Sequence, residues 1–156
     1  MALHIVLVEP EIPPNTGNIA RSCAATNSVL HLVEPLGFSI DDRSLKRAGL
    51  DYWPYVKVLV HPSLAAFLAE YAGRRMFLAT TKGEKLFSEV EYRDEDMLLF
   101  GRETAGLPRD FIAANRERTI RIPMSASTRL RSFNLANSAN IVLFEALRQL
   151  GYPGLE

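Results

Sequence analysis

Short apolar runs recur along the chain, each closed by a polar turn and followed by residues at helical spacing. Leu3 to Val8 is nearly all apolar and β-branched at Ile5, Val6 and Val8, which predicts a central strand covered on both faces. Val29 to Val33, Val56 to Val60, Met76 to Ala79, Met97 to Phe100 and Thr119 to Ile122 repeat the signal. Between strands, Ala20, Cys23 and Ala24 recur at spacings of three and four and predict a short, tightly packed helix over Ile19 to Ala25. The prolines of Glu9 to Pro14 are expected to keep that stretch irregular, with Asn15 to Asn18 supplying the cap. Asp41 to Gly49 predicts a helix with acid in its first turn, base in its last and glycine as its stop. Another helix is expected from Ser63 through Leu64, Phe67, Leu68 and Tyr71 to Gly73, a single helical turn within Lys85 to Val90, and a short helix after Pro108 that frays at Asn115. Asn134 caps the longest helix, which runs to Leu150. Its stripe of Leu135, Ala139, Val142, Ala146 and Leu150 is widened by Ile141, Leu143, Phe144 and Leu147, so burial on a second side is expected, with a two-fold dimer as the natural cover. Strands alternating with helices throughout give an α/β class with a mostly parallel sheet.

Composition narrows the class. At 156 residues, 47% apolar and 23% charged, the chain suits one globular domain over 1–156. The lone Cys23 excludes an internal disulfide, and the scattered His4, His31 and His61 offer no zinc-ligand spacing, so no metal is expected. The first apolar run is too short for a signal peptide or a membrane span, which makes the cytoplasm the expected location. Net charge is zero, which by itself speaks against a nucleic-acid partner. Its distribution changes that. Arg116, Arg118, Arg121, Arg129 and Arg131 meet only Glu117, a local plus four; Glu89, Glu91, Asp94, Glu95 and Asp96 meet only Arg93, a local minus four. A basic binding face and a solvated, balanced exterior are both open readings of this segregation.

Motif chemistry then concentrates at strand ends. No Gly-x-Gly-x-x-Gly follows the first strand, no Walker lysine motif exists and no Ser-His-Asp arrangement is evident, so common dinucleotide, NTP and hydrolase sites lose their support. Met97 to Pro108 reads as a strand, then Gly101, the charged pair Arg102-Glu103, Gly106 and a proline at a helix start, which serves either a pocket floor or mere geometry. Arg21 stands near the start of its expected helix, where the dipole disfavours a cation; it is an exposed surface arginine or has another task. Asp51 to Tyr55 clusters aromatics that either cover the core or stack on bases.

Three polar segments complete the pattern: Asn15 to Arg21, Gly101 to Pro108, and Ile122-Pro123-Met124 through Arg131-Ser132-Phe133-Asn134 to Asn137. In this order they resemble the signature motifs of the SpoU branch of the SPOUT RNA methyltransferases, in its small YibK-like form, and the likeness extends over essentially the whole chain. The resemblance implies a C-terminal trefoil knot with the cofactor site formed by about residues 76–150, a homodimer, S-adenosylmethionine as cofactor, and 2′-O-methylation of the wobble cytidine or modified uridine in a tRNA anticodon loop. Methylation of another RNA site, or RNA binding without catalysis, are the alternatives. By motif match it implies Arg21, Ser132 and Asn134 as catalytic residues. Ala79, Gly101, Glu103, Gly106, Ile122, Met124, Leu130 and Ser132 would hold the cofactor, the glycines letting its adenine ring approach bare backbone. Asn15, Arg21, Arg129 and Arg131 would bind RNA. The loop from Met124 to Ser132 is about two residues longer than the family pattern suggests, and Phe133 and Ala136 depart from it.

Overall fold

The computed structural model describes residues 1–40, 43, 53–127 and 132–156. Among these residues seven strands form one sheet: β1 (His4–Val8), β2 (Val29–Val33), β3 (Lys57–His61), β4 (Met76–Ala79), β5 (Lys85–Leu86), β6 (Met97–Phe100) and β7 (Thr119–Arg121). Their spatial order is β3-β2-β1-β6-β4-β7-β5, and each neighbouring pair is parallel. The strands are apolar on both sides because helices cover both. Alternation then sorts the side chains. Ile5, Leu7, Leu30, Leu32, Leu98 and Phe100 face α1 (Pro13–Thr26) and α4 (Leu135–Gln149), where Ile19, Cys23, Val142 and Leu143 complete one core. Val6, Val8, Val33, Met97 and Leu99 point the other way, packing with Phe67 of α2 (Leu64–Glu70) and with Phe111 and Ile112 of α3 (Arg109–Ala114).

Two expected elements differ. Helix α1 begins at Pro13, six residues before the expected start, with Ile12 as its extended N-cap. Prolines at the first helical positions cost nothing, because the N–H they lack has no intrahelical partner there and their φ is already helical. Arg21 consequently lies mid-helix, and the dipole argument about it does not apply. Lys85 and Leu86 form the edge strand β5, not a helical turn; pairing with Ile120 and Arg121 overrides a weak local pattern. The helix expected over 41–49 lies outside the described residues. Trp53–Tyr55 is a 3₁₀ turn whose Trp53 packs against the core while Tyr55 is exposed.

The acidic run is not simply a solvated face. Asp96 is buried and accepts from Arg75 Nε at 2.8 Å and from the Arg93 amide at 2.8 Å, and Glu95 accepts from the His4 ring. On the basic side Arg116 and Arg118 are exposed, whereas Arg121 is half-buried at the end of β7.

Candidate active site

Three adjacent strands, β6, β4 and β7, end side by side, and their carboxyl ends form the floor of a cavity of about 440 Å³. Parallel α/β sheets place ligands at such ends, and this volume falls in the range of small-molecule sites. Ala79, Gly101, Glu103, Gly106, Ile122, Met124 and Ser132 all line it, together with Asn15 and Asn134. Leu130, Arg129 and Arg131 lie outside the described residues. Thr80, Thr81 and Arg121 line it too, unassigned from the sequence although Thr80-Thr81 closes a strand in the manner of the other loops.

The loop after β6 closes on itself. The Arg102 amide donates to the Gly106 carbonyl at 3.2 Å and the Gly106 amide donates back to the Arg102 carbonyl at 2.9 Å. Gly101 is required by this closure, since a Cβ there would collide with the Gly106 and Leu107 backbone, and Gly106 has φ +70°. The geometry of the loop therefore accounts for both glycines without any ligand.

Its tip is clamped to the segment before α1 by three successive residues. Arg102 pairs with Glu9 at 2.9 Å, and Thr104 donates through both its hydroxyl (2.6 Å) and its amide (3.2 Å) to Glu11 Oε1. Those two bonds hold the Glu11 carboxyl below its usual pKa, the hydroxyl being the larger cause. Between them, Glu103 accepts from the Glu11 amide at 2.8 Å, the Ile12 amide at 2.7 Å and Asn15 Nδ2 at 3.3 Å. Ile12 has no capping side chain of its own, so Glu103 supplies from a distant loop the negative group that the start of α1 favours. Both carboxylate oxygens are committed to this brace.

The relay continues into the third loop. Buried Asn15 accepts at Oδ1 from Asn134 Nδ2 (3.1 Å), and Asn134 Oδ1 caps α4 by accepting from the Ala136 (2.8 Å) and Asn137 (3.3 Å) amides. Glu103, Asn15 and Asn134 thus tie all three loops together, and the polar atoms of Asn15 and Asn134 face protein partners.

Beside the cavity lies an open polar groove of about 490 Å³ between α1 and α4, lined by Asn18, Arg21, Ser22, Asn137 and Asn140. Asn15 and Asn134 belong to both hollows and form the wall where they meet. Arg21 is on the groove side only.

Known proteins resemble this chain in sequence and in fold. The family model described as the SpoU rRNA Methylase family matches residues 2–144. The tRNA (cytidine(34)-2′-O)-methyltransferase of Escherichia coli (strain K12) is 52% identical over 153 residues, covering 97% of this chain and 96% of its own length. A solved structure described as giving insights into the 2-OH methylation of C/U34 on tRNA is 47% identical with a TM-score of 0.90, over 96% of this chain and 97% of that one. The AdoMet-bound rRNA methyltransferase of Sinorhizobium meliloti is 26% identical with a TM-score of 0.84, over 96% of this chain and 57% of that one. With a family model matched over nearly its full length, the chain belongs to the SpoU methylase family.

Proposed function

We infer that this protein is an RNA ribose methyltransferase that uses S-adenosylmethionine to methylate the 2′-hydroxyl of nucleotide 34, cytidine or uridine, in the tRNA anticodon loop. The observation that carries this reading is the meeting of a cofactor-sized cavity with a polar, arginine-bearing groove at the Asn15–Asn134 wall. The close relatives act on that nucleotide by their names.

The cavity suits the cofactor. Its wall mixes apolar side chains, including Ala79, Leu107, Ile122 and Met124, with the closed backbone loop from Gly101 to Gly106, a combination that takes an aromatic base against carbon and its polar edge against main chain. Ala79, Gly101, Gly106, Ile122, Met124 and Ser132 would hold it, with Leu130 contributing from the neighbouring segment. When bound, the sulfonium supplies an already activated methyl group, so the protein's task is orientation and charge.

Arg21 faces the groove, where its guanidinium would hold an RNA phosphate and lower the cost of developing negative charge on the nearby 2′-oxygen. Ser132, which lines the cavity, would be a side chain that touches the reacting groups. Asn134, Asn15 and Glu103 act as positioning residues, since their polar atoms hold the loops to one another. Arg129 and Arg131, by the family likeness, would add to RNA binding.

Helix α4 leaves Ile141 and Phe144 exposed, 36% and 47%, which supports a homodimer through this face. Among the described residues no helix is long and apolar enough to cross a membrane, in keeping with work on tRNA in the cytoplasm.

Incubation of tRNA with protein and S-adenosylmethionine, followed by nucleoside mapping by mass spectrometry, is expected to find a 2′-O-methyl group at position 34. Absence of ribose methylation on every anticodon loop would overturn the reading. In the same assay Arg21→Ala should abolish transfer while calorimetric cofactor affinity stays unchanged; parallel loss of both would show that Arg21 holds the cofactor instead.

A further inference from the structure

The three histidines, scattered in sequence, meet on one face of the sheet. His4, His31 and His61 stand on the neighbouring strands β1, β2 and β3, each displaced two residues along from the last: His31 pairs in register with Val6, and His61 with Val33. All three are buried, at 8%, 0% and 5% exposure. Their rings form a chain of hydrogen bonds, His4 Nδ1 to His31 Nε2 at 2.8 Å and His31 Nδ1 to His61 Nε2 at 2.9 Å. A carboxylate closes each end. Glu95 Oε2 lies 3.0 Å from His4 Nε2, and Glu70 Oε2 lies 3.5 Å from His61 Nδ1.

Counting protons on this chain gives an unequal sum. Four contacts join five groups, and each contact needs one hydrogen. A neutral imidazole carries one N–H and an ionised carboxylate carries none, so three neutral rings fill only three of the four contacts. The distances decide which is left bare. The Glu95 contact is the shorter, so His4 donates from Nε2 to Glu95 and its Nδ1 accepts from His31 Nε2. His31 Nδ1 then accepts from His61 Nε2. That leaves His61 Nδ1 as a lone pair facing a carboxylate, the one unfavourable contact in the chain.

We propose that His4, His31 and His61, with Glu95 and Glu70, act as one proton-holding unit that takes up a single proton at His61 Nδ1 and thereby fastens α2 to the end of β3. The fourth contact becomes an imidazolium–carboxylate pair, and a fifth proton cannot enter without breaking a link. The fastening therefore requires His61 doubly protonated and Glu70 ionised, with Glu95 ionised at the other end. The proton reaches the chain from the Glu70 end, where the carboxylate is 61% exposed.

The surroundings hold the proton at that end. Phe67 and Tyr71 stand edge-on to both His31 and His61, making an apolar cover. Burial, with His4, His61, Arg74 and Lys57 adding to it, pushes His31 down to about 3, so the middle ring stays neutral. His4 is lowered too, by burial first, against the upward pull of Glu95. Glu95 is itself held by the Ala2 amide at 3.0 Å and sits near the N-terminal amine. Arg74, following α2, lies over the Tyr71 ring and donates to the Glu95 carbonyl at 3.1 Å. Among the described residues, Glu70 is the charged group that contacts His61 Nδ1.

Glu70→Gln tests the count, because a carboxamide can donate where a carboxylate cannot. With Gln at position 70 the amide supplies the missing hydrogen to neutral His61, completing four contacts without an added proton. Histidine ring nitrogens of the full-length, ¹⁵N-labelled protein would be followed by long-range ¹H–¹⁵N correlation between about pH 5 and 8, where imidazole charge ordinarily changes. In the parent, His4 and His31 should remain neutral with the hydrogen on Nε2 while His61 passes from the Nε2–H form to the doubly protonated form as pH falls. In Glu70→Gln the His61 midpoint should drop by about one pH unit or more, a tenfold loss of proton affinity. Amide exchange on β3 confirms that the exposed substitution leaves the fold in place. An unchanged His61 midpoint in the variant, protonation of His31 before His61, or a neutral His61 carrying its hydrogen on Nδ1 would each overturn the proposal.

Discussion

Glu103 and Arg21 are both charged residues within the polar segments that carry the family likeness. The structure separates them by where they lie. Glu103 accepts three hydrogen bonds from residues 11, 12 and 15, so its carboxylate is occupied in bracing the cavity wall. Arg21 lines the groove instead. Glu103→Ala should therefore act on binding before chemistry: the loop tip loses its hold on α1, and calorimetry should find S-adenosylmethionine bound about tenfold more weakly, equivalent to about 1.4 kcal/mol. Transfer at saturating cofactor should stay near the parent rate, and a collapse of that rate with unchanged affinity would place Glu103 in the chemistry. Residue type and order marked these positions through a family likeness, but a sequence does not record which polar atoms are already paired. For the same reason the histidines passed as scattered: strands 25 to 30 residues apart in sequence bring them within hydrogen-bond distance, and no local spacing encodes that.

Among the elements, the onset of α1 and the cap of α4 show where local rules succeed and where they mislead. Asn134 is recognisable as a cap because an asparagine precedes a long apolar-periodic run, and its side chain accepts from two amides of the first turn. Asn134→Ala should cost about 1 kcal/mol in urea unfolding from the lost cap, plus a further loss where Asn15 is left without its donor. If stability is unchanged within error, the cap is not what holds α4 in place. At α1 the same rules failed, since the prolines that forbid a helix interior are welcome at its first positions, and the group satisfying its start is Glu103, far away in sequence. The edge strand β5 was illegible for a related reason: two residues hold no periodicity, and only their pairing with β7 makes them a strand.

For the whole molecule, alternation of strands and helices was enough to give a parallel α/β sheet, while the order β3-β2-β1-β6-β4-β7-β5 was not contained in any local pattern. The four residues that widen the apolar stripe of α4 divide in the fold: Leu143 and Leu147 are buried in the chain's own core, while Ile141 and Phe144 stay exposed. If the proposed homodimer forms through this face, Phe144→Lys should lower the mass in light scattering from that of two chains to that of one, while a mass unchanged from a dimeric parent would remove this face from the interface. The Asn15–Asn134 contact joins residues 119 positions apart. A ribosome that has delivered the first strand, and even the closed loop after β6, has not yet delivered a binding site, because the last wall arrives only with the start of α4. Cofactor occupancy thus reports that the chain has been made and folded through the start of α4, and a hundredfold excess of ligand over its Kd then adds about 2.7 kcal/mol against unfolding, gained only by chains in which Asn15 and Asn134 have met.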